Sequence, residues 1–263
     1  MSIDPAELDR SGLCLDLDDT NPAGCVATVT LNRPARRNAM TPAMWRGLAA
    51  VGASLPDRVR IVMVRGAGPS FSAGIDLRMF SADGVPGEDP PLPADDPGFE
   101  QWIADCQAGY TWLRDPRIVS VAAVQGHAIG AGCQLALSCD LRILADDARL
   151  SVKEPVLGLV PDLTGTKPLV DIVGLPRALE ICLTGRSVDA REAKELRLAE
   201  LVVPGAELDA AVADLAAALL AADASAARAT KALLAQAQGH TLDQQAAAER
   251  QSQASLQRAR LGR

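Results

Sequence analysis

The sequence predicts an α/β fold. Short apolar, β-branched runs recur along the first 203 residues, and segments with helix-start signals separate them. Two of the apolar runs end in glycine-rich turns. The clearest case is Val121–Gln134, where an apolar run ends at Gln125-Gly126 and a second turn, Gly130-Ala131-Gly132, leads into CQLALSCDLRIL. A helix that begins at a glycine turn presents unpaired N–H groups and the positive end of its dipole. Such a place suits a phosphate or a developing oxyanion.

The chain opens with a hairpin pattern. Leu13–Leu17 alternates, Asp18–Gly24 has turn composition, and Val26–Leu31 is rich in β-branched residues. A basic loop, Arg33-Pro34-Ala35-Arg36-Arg37-Asn38, follows. Thr41-Pro42 reads as an N-cap with proline in the first turn of a helix running to Leu55. Val59–Val64 is nearly all apolar, as a strand covered on both faces would be. The small-residue loop from Gly66 to Asp76 runs into a short helix around Asp76–Phe80. Residues 81–97 hold five prolines and five acids, which predicts a mobile surface loop, either a disordered insertion or a substrate lid.

Further along, Gly98–Arg114 is expected to be helical and Ile118–Val124 extended. Leu141–Leu144 and Leu150–Val152 read as strands, and Pro155–Thr166 as a loop. Helices are expected over Thr166–Val173, Pro176–Thr184 and Asp189–Arg197, the last with Asp189 and Glu192 spaced as a capping box. Leu201–Val203 is a short strand. From Ala206 the chain is alanine-rich and helical, with breaks at Asp223 and Gly239-His240. These small apolar contacts predict helices that pack on the body or on a neighbouring subunit. Residues 1–203 therefore form the expected core and 204–263 a helical C-terminal region.

Composition excludes several function classes. With 263 residues and 48% hydrophobic content the chain can bury a sizeable core. A net charge of −7 argues against nucleic acid as a general partner, and 3% aromatic content against stacking on single strands. The six cysteines lie at no CxxC or zinc-ligand spacing with His127 or His240, so reduced buried thiols and no metal are expected. The acidic start MSIDPAELDR does not read as a presequence, and no apolar run approaches a membrane span. A cytoplasmic location without membrane association is the expectation.

Familiar phosphate and nucleophile motifs fail. Leu135 stands where a dinucleotide fingerprint needs its third glycine. Gly165-Thr166-Lys167 lacks the earlier glycine of a P-loop, because Val160 occupies that position, and there is no GxSxG elbow. What remains is a pair of turns, Ser72–Asp76 and Gly130–Gln134, each after an apolar strand. Two backbone N–H groups from separate turns can converge on one carbonyl oxygen.

Ordered motifs along nearly the whole chain then carry a resemblance. They are Leu31-Asn32-Arg33-Pro34 with Asn38-Ala39-Met40, Phe71–Leu77, Gly126–Cys133, Cys139-Asp140, Gly158–Pro161 and Leu183-Thr184-Gly185. The chain resembles the enoyl-CoA hydratase/isomerase (crotonase) superfamily. The resemblance implies a spiral of ββα units with a C-terminal helical trimerisation region. It also implies an acyl-CoA thioester substrate, no cofactor beyond the coenzyme A carried by that substrate, and a homotrimer or dimer of trimers.

By the same resemblance the oxyanion-hole amides belong to Ile75 and Ala131. Alanine at 131 replaces the usual glycine, and a positive φ there would cost it more. Ala73, Gly74 and Asp76 would lie along coenzyme A, with Arg33, Arg36 and Arg37 nearest its phosphates. Of the two glutamates that the hydratases use, one matches Glu154 and the other falls on Gln134. An amide can hold water but cannot take its proton. Asp162 falls where dienoyl-CoA isomerases carry an aspartate.

Plainer roles stand beside these. Glu154 could pair with Arg149 or Lys153, Asp162 could cap the helix near Thr166, Gln134 could be part of a helix wall, and His127 is expected to be structural. Three functions follow: enoyl-CoA chemistry, either hydration with Asp162 covering for the lost acid or single-base isomerisation on Glu154; another reaction needing an oxyanion hole, such as thioester hydrolysis or decarboxylation; or non-catalytic acyl-CoA binding.

Overall fold

The computed structural model describes residues 4–81, 84–86, 88 and 96–262. Its spine is a six-stranded sheet. The strands are β1 (Leu13–Asp18), β2 (Cys25–Leu31), β3 (Val59–Gly66), β4 (Val119–Val124), β6 (Leu141–Ala145) and β9 (Leu201–Val203), adjacent in that order. Only β1 runs antiparallel; every later pairing is parallel. A smaller sheet joins β5 (His127–Ile129), β7 (Arg149–Ser151) and β8 (Val188–Asp189). The α/β class read from the sequence is the one observed, with strand and helix turns winding as ββα units.

Helices cover both faces of the large sheet. On one side lie α2 (Pro42–Ser54), α3 (Asp96–Thr111) and α4 (Ala131–Ser138), whose Met44, Trp45, Leu48, Tyr110 and Leu135 join the main core. On the other, α7 (Leu208–Leu220) buries Leu208, Val212, Ala216 and Leu220 against Val26, Ile61, Val121 and Ile143. That spacing is one helical stripe, so the alanine-rich segment docks by its few larger side chains. Beyond it, α8 (Ala224–Gln236) and α9 (Leu242–Leu261) bury no residue completely. Among the described residues no single helix is long and apolar enough to cross a membrane.

α1 (Pro5–Arg10), capped by Asp4, was not expected. The three-residue strand β5 occupies His127–Ile129, between two glycines that read as turn, because pairing with β7 supplies the ladder that local propensity does not. The helices expected on either side of Val173–Pro176 run as α5 (Thr166–Thr184), kinked at Gly174 with φ 74°. Proline at 176 sits just past that kink, where a helix can restart. α6 is shorter than expected, Ala190–Glu195, with Asp189 accepting from the Glu192 N–H.

The expected mobile loop is partly anchored. Val85 is buried, and Glu88 accepts a hydrogen bond from Ala43 N at 2.9 Å at the start of α2. Asp96 and Pro97 belong to α3. The rest of that stretch (82, 83, 87 and 89–95) lies outside the described residues.

Candidate active site

The two glycine turns meet. Ser72 N donates to His127 O at 2.8 Å, and Ile129 N donates to Ser72 O at 2.9 Å, so a short parallel bridge zips the loop after β3 to β5. Gly132 lies so near Ser72 that an added Cβ would fall 2.6 Å from the serine Cβ. No side chain fits there. An added Cβ at Gly74 would stand 2.8 Å from Ile129 O and 3.8 Å from Ala131 N. The close approach of the two backbones explains why these small residues recur in both turns.

Ile75 is bracketed by Met40. Met40 N donates to Gly74 O at 2.7 Å, and Asp76 N donates to Met40 O at 2.8 Å, which leaves the Ile75 N–H outside that pairing. Ala131 is the first residue of α4, after Gly130 at φ 51°. Neither N–H has an acceptor among the described residues. The positive φ falls on Gly130, and Ala131 is not among the residues with positive φ. The expected penalty for alanine at 131 therefore does not arise. The arrangement offers two free backbone donors beside one another, at the positive end of a helix.

A carboxyl group faces these donors. Glu154 begins the single turn Glu154–Leu157 that follows β7, and its Oε1 would lie 3.2 Å from a Cβ built on Gly130. Glu154 is buried. Its Oε1 accepts from Gln134 Nε2 at 2.7 Å, while its Oε2 is buried without a hydrogen-bond partner. Burial is the largest influence on its titration and raises its pKa, with Asp162 adding to the rise and Gln134 opposing it. No salt bridge joins Glu154 to Arg149 or Lys153. Lys153 Nζ bonds Gly185 O, and Arg149 bonds Ala148 O.

Gln134 is engaged at both ends of its amide. Its Oε1 accepts from Leu163 N at 2.8 Å and from Gly165 N at 3.1 Å. Gly165 is needed for this, since a Cβ there would stand 2.6 Å from Gln134 Cγ. The side chain thus ties α4 to the loop before α5 and holds Glu154. Asp162, on that same loop, is half-buried, and burial raises its pKa as well. It does not cap α5: Gly165 takes the N-cap position with no side-chain hydrogen bond.

The other residues singled out from sequence fall around the first turn. Ala73 N donates to Arg37 O at 2.8 Å, which lays the basic loop alongside it. Arg36 and Arg37 are exposed. Arg33 is partly turned inward, bonding Ala39 O and reaching Asp76 Oδ2 at 3.2 Å. Asp76 also pairs with Arg78 at 2.6 Å. Its carboxyl is held well below the usual range, chiefly by the Arg78 hydrogen bond. Asp76 and Arg33 thus brace the turn that carries Ile75. His127 is exposed, 3.4 Å from Ser70 Oγ, and makes no contact with the Glu154 cluster.

Sequence reasoning gave no role to Met40, Arg78 or Tyr110. Met40 acts through its backbone, and Tyr110 reaches the site from α3; no local pattern marks either. Among the described residues no group of three or more His, Cys, Asp or Glu is placed to hold a metal ion.

Comparison with known proteins places the chain in a family. Residues 21–261 match the family model for enoyl-CoA hydratase/isomerase. A candidate enoyl-CoA hydratase from Thermobifida fusca, solved in complex with CoA, is 56% identical with a TM-score of 0.94, covering 100% of this chain and 98% of that one. A structure from the same organism in complex with acetoacetyl-CoA is 57% identical with a TM-score of 0.92, covering 98% of each chain. A candidate enoyl-CoA hydratase of Mycobacterium bovis is 32% identical over 185 residues, 70% of this chain and 67% of its own. The chain, with its paired turns, therefore belongs to the enoyl-CoA hydratase/isomerase family.

Proposed function

We propose that the protein is an enzyme acting on acyl-CoA thioesters, with Glu154 as the single proton-transferring carboxylate of an enoyl-CoA isomerase. The relatives solved with CoA and with acetoacetyl-CoA support a thioester in this pocket. The observation that carries the choice of reaction is the Gln134–Glu154 hydrogen bond of 2.7 Å. It holds one carboxylate oxygen and leaves Oε2 buried and unpartnered. With both lone pairs of its amide oxygen taken by Leu163 N and Gly165 N, Gln134 positions the base and has none left to accept from a water.

In this mechanism the thioester oxygen accepts from the N–H groups of Ile75 and Ala131. Ionised Glu154 removes a proton from the α carbon of a 3-enoyl thioester, and negative charge gathers on the thioester oxygen as an enolate. The same carboxyl returns the proton to the γ carbon, so the double bond moves into conjugation and no atom is gained or lost. Arg37 meets Ala73 through its backbone carbonyl, and the basic loop that carries it, with Arg33 and Arg36, would meet the phosphates of coenzyme A; the chain would act as a homotrimer or dimer of trimers.

One observation favours hydration as a second reading. Asp162 is half-buried, has no basic partner among the described residues, and its charge raises the Glu154 pKa. It would then supply the second acid that Gln134 cannot. Incubation with matched 2-enoyl and 3-enoyl thioesters separates the two. Isomerisation of the 3-enoyl ester at constant mass is expected. A gain of water on the 2-enoyl ester with no isomerisation would select the Asp162 reading, and tight binding without turnover of either would refute both.

A further inference from the structure

Tyr110 is the chain's one tyrosine, fully buried on α3. Its hydroxyl accepts from Trp45 Nε1 at 3.1 Å. The same hydroxyl lies 3.2 Å from Ala131 O and 3.3 Å from Met40 Sδ. Burial keeps the phenol well above its ordinary pKa, so it is a donor at any working pH. One proton serves two acceptors, and the carbonyl is the stronger of them.

These contacts link Ala131 to Met40, the backbone neighbour of Ile75. Ala131 owns one of the two free amides. Met40 brackets the other, Ile75, through Gly74 O and Asp76 N. We propose that Tyr110 is a positioning residue for the oxyanion hole, a strut from α3 that fixes the Ala131 end against the Met40–Ile75 end. This rests on the reading of Ile75 and Ala131 as oxyanion donors. A misplaced donor loses part of the catalytic effect of a removed one, because the benefit depends on pre-set distance and direction. Filling space in the core and satisfying the Trp45 N–H would be the merely structural role.

The test compares wild type with Tyr110→Phe, using a saturated acyl-CoA ester labelled with ¹³C at its thioester carbonyl. Infrared difference spectra read the downward shift of the carbonyl stretch on binding. The wild type should show the shift, and Y110F a smaller one. Turnover of a 3-enoyl thioester should fall about tenfold with KM nearly unchanged. If Y110F keeps the full shift and kcat and only melts earlier, Tyr110 is structural and the proposal fails alone. If the wild type shows no shift, the oxyanion-hole reading fails and takes the proposal with it.

Should Y110F not fold, 3-fluorotyrosine incorporation labels this one position. Its single ¹⁹F resonance should move when the same thioester saturates the protein. An unmoved resonance would overturn the proposal.

Discussion

At the residue scale, the unusual feature is a buried carboxyl held by an amide. Burial raises the folded-state pKa of Glu154 above its unfolded value. Its ionised form is therefore disfavoured by folding. The stability that the protonated group contributes is present below the unfolded pKa and is lost as pH rises through the folded pKa. Glu154→Gln should accordingly melt higher than wild type in neutral and mildly alkaline buffer, with the difference vanishing in acid. A constant difference at all pH values would contradict the raised pKa. Because the base must be ionised, the acid limb of kcat/KM should lie above the ordinary glutamate range. Gln134→Met keeps length but strips three hydrogen bonds. Unsatisfied N–H groups at Leu163 and Gly165 should cost about 1–3 kcal/mol in chemical denaturation. The acid limb should move further up, since Gln134 lowers the Glu154 pKa. The pairing of Gln134 with Glu154 was not legible in sequence. Both residues stood out, but nothing local says that side chains 20 positions apart point at each other.

At the element scale, α4 is the part on which the site depends. Its first residue, Ala131, carries an N–H that the helix itself does not use. Proline is tolerated at that position in helices for this reason. Ala131→Pro should therefore lower kcat by about 10²–10³ with little change in the melting midpoint. Unaltered kcat in a folded variant would remove Ala131 from the oxyanion hole. The turn at Gly130 and the helix after it were readable from the glycines and the apolar run. The short strands around them were not. β5 and β8 span three and two residues, too few for period-two alternation, and they exist because β7 pairs with both. The fit of Gly132 against Ser72 was likewise hidden, since glycine in sequence marks freedom without naming the neighbour.

At the scale of the whole molecule, the surface left bare is informative. Leu175, Leu179 and Leu183 are exposed at four-residue spacing on α5 after its kink, so they share one helical face. Val156 and Leu157 on the neighbouring turn, and Val160 on the loop after it, are also exposed. Together with the barely buried α8 and α9, they fit an assembly of like chains. Leu179→Glu should shift the sedimentation profile toward monomer; an unchanged trimer would exclude this face, and a monomeric wild type would exclude the assembly. The α/β layering was legible because it follows from hydrophobic patterning. The exposed stripe was not, because a leucine in sequence looks the same whether a core or a partner covers it. In the proposed isomerase one carboxylate, Glu154, moves the proton. The most direct measurement is turnover of a 3-enoyl thioester by wild type and Glu154→Gln, with binding measured alongside. Isomerisation by the wild type, and a loss of about 10²–10⁴ in the variant at unchanged affinity, is the expected result. A variant that retains turnover within tenfold would contradict it.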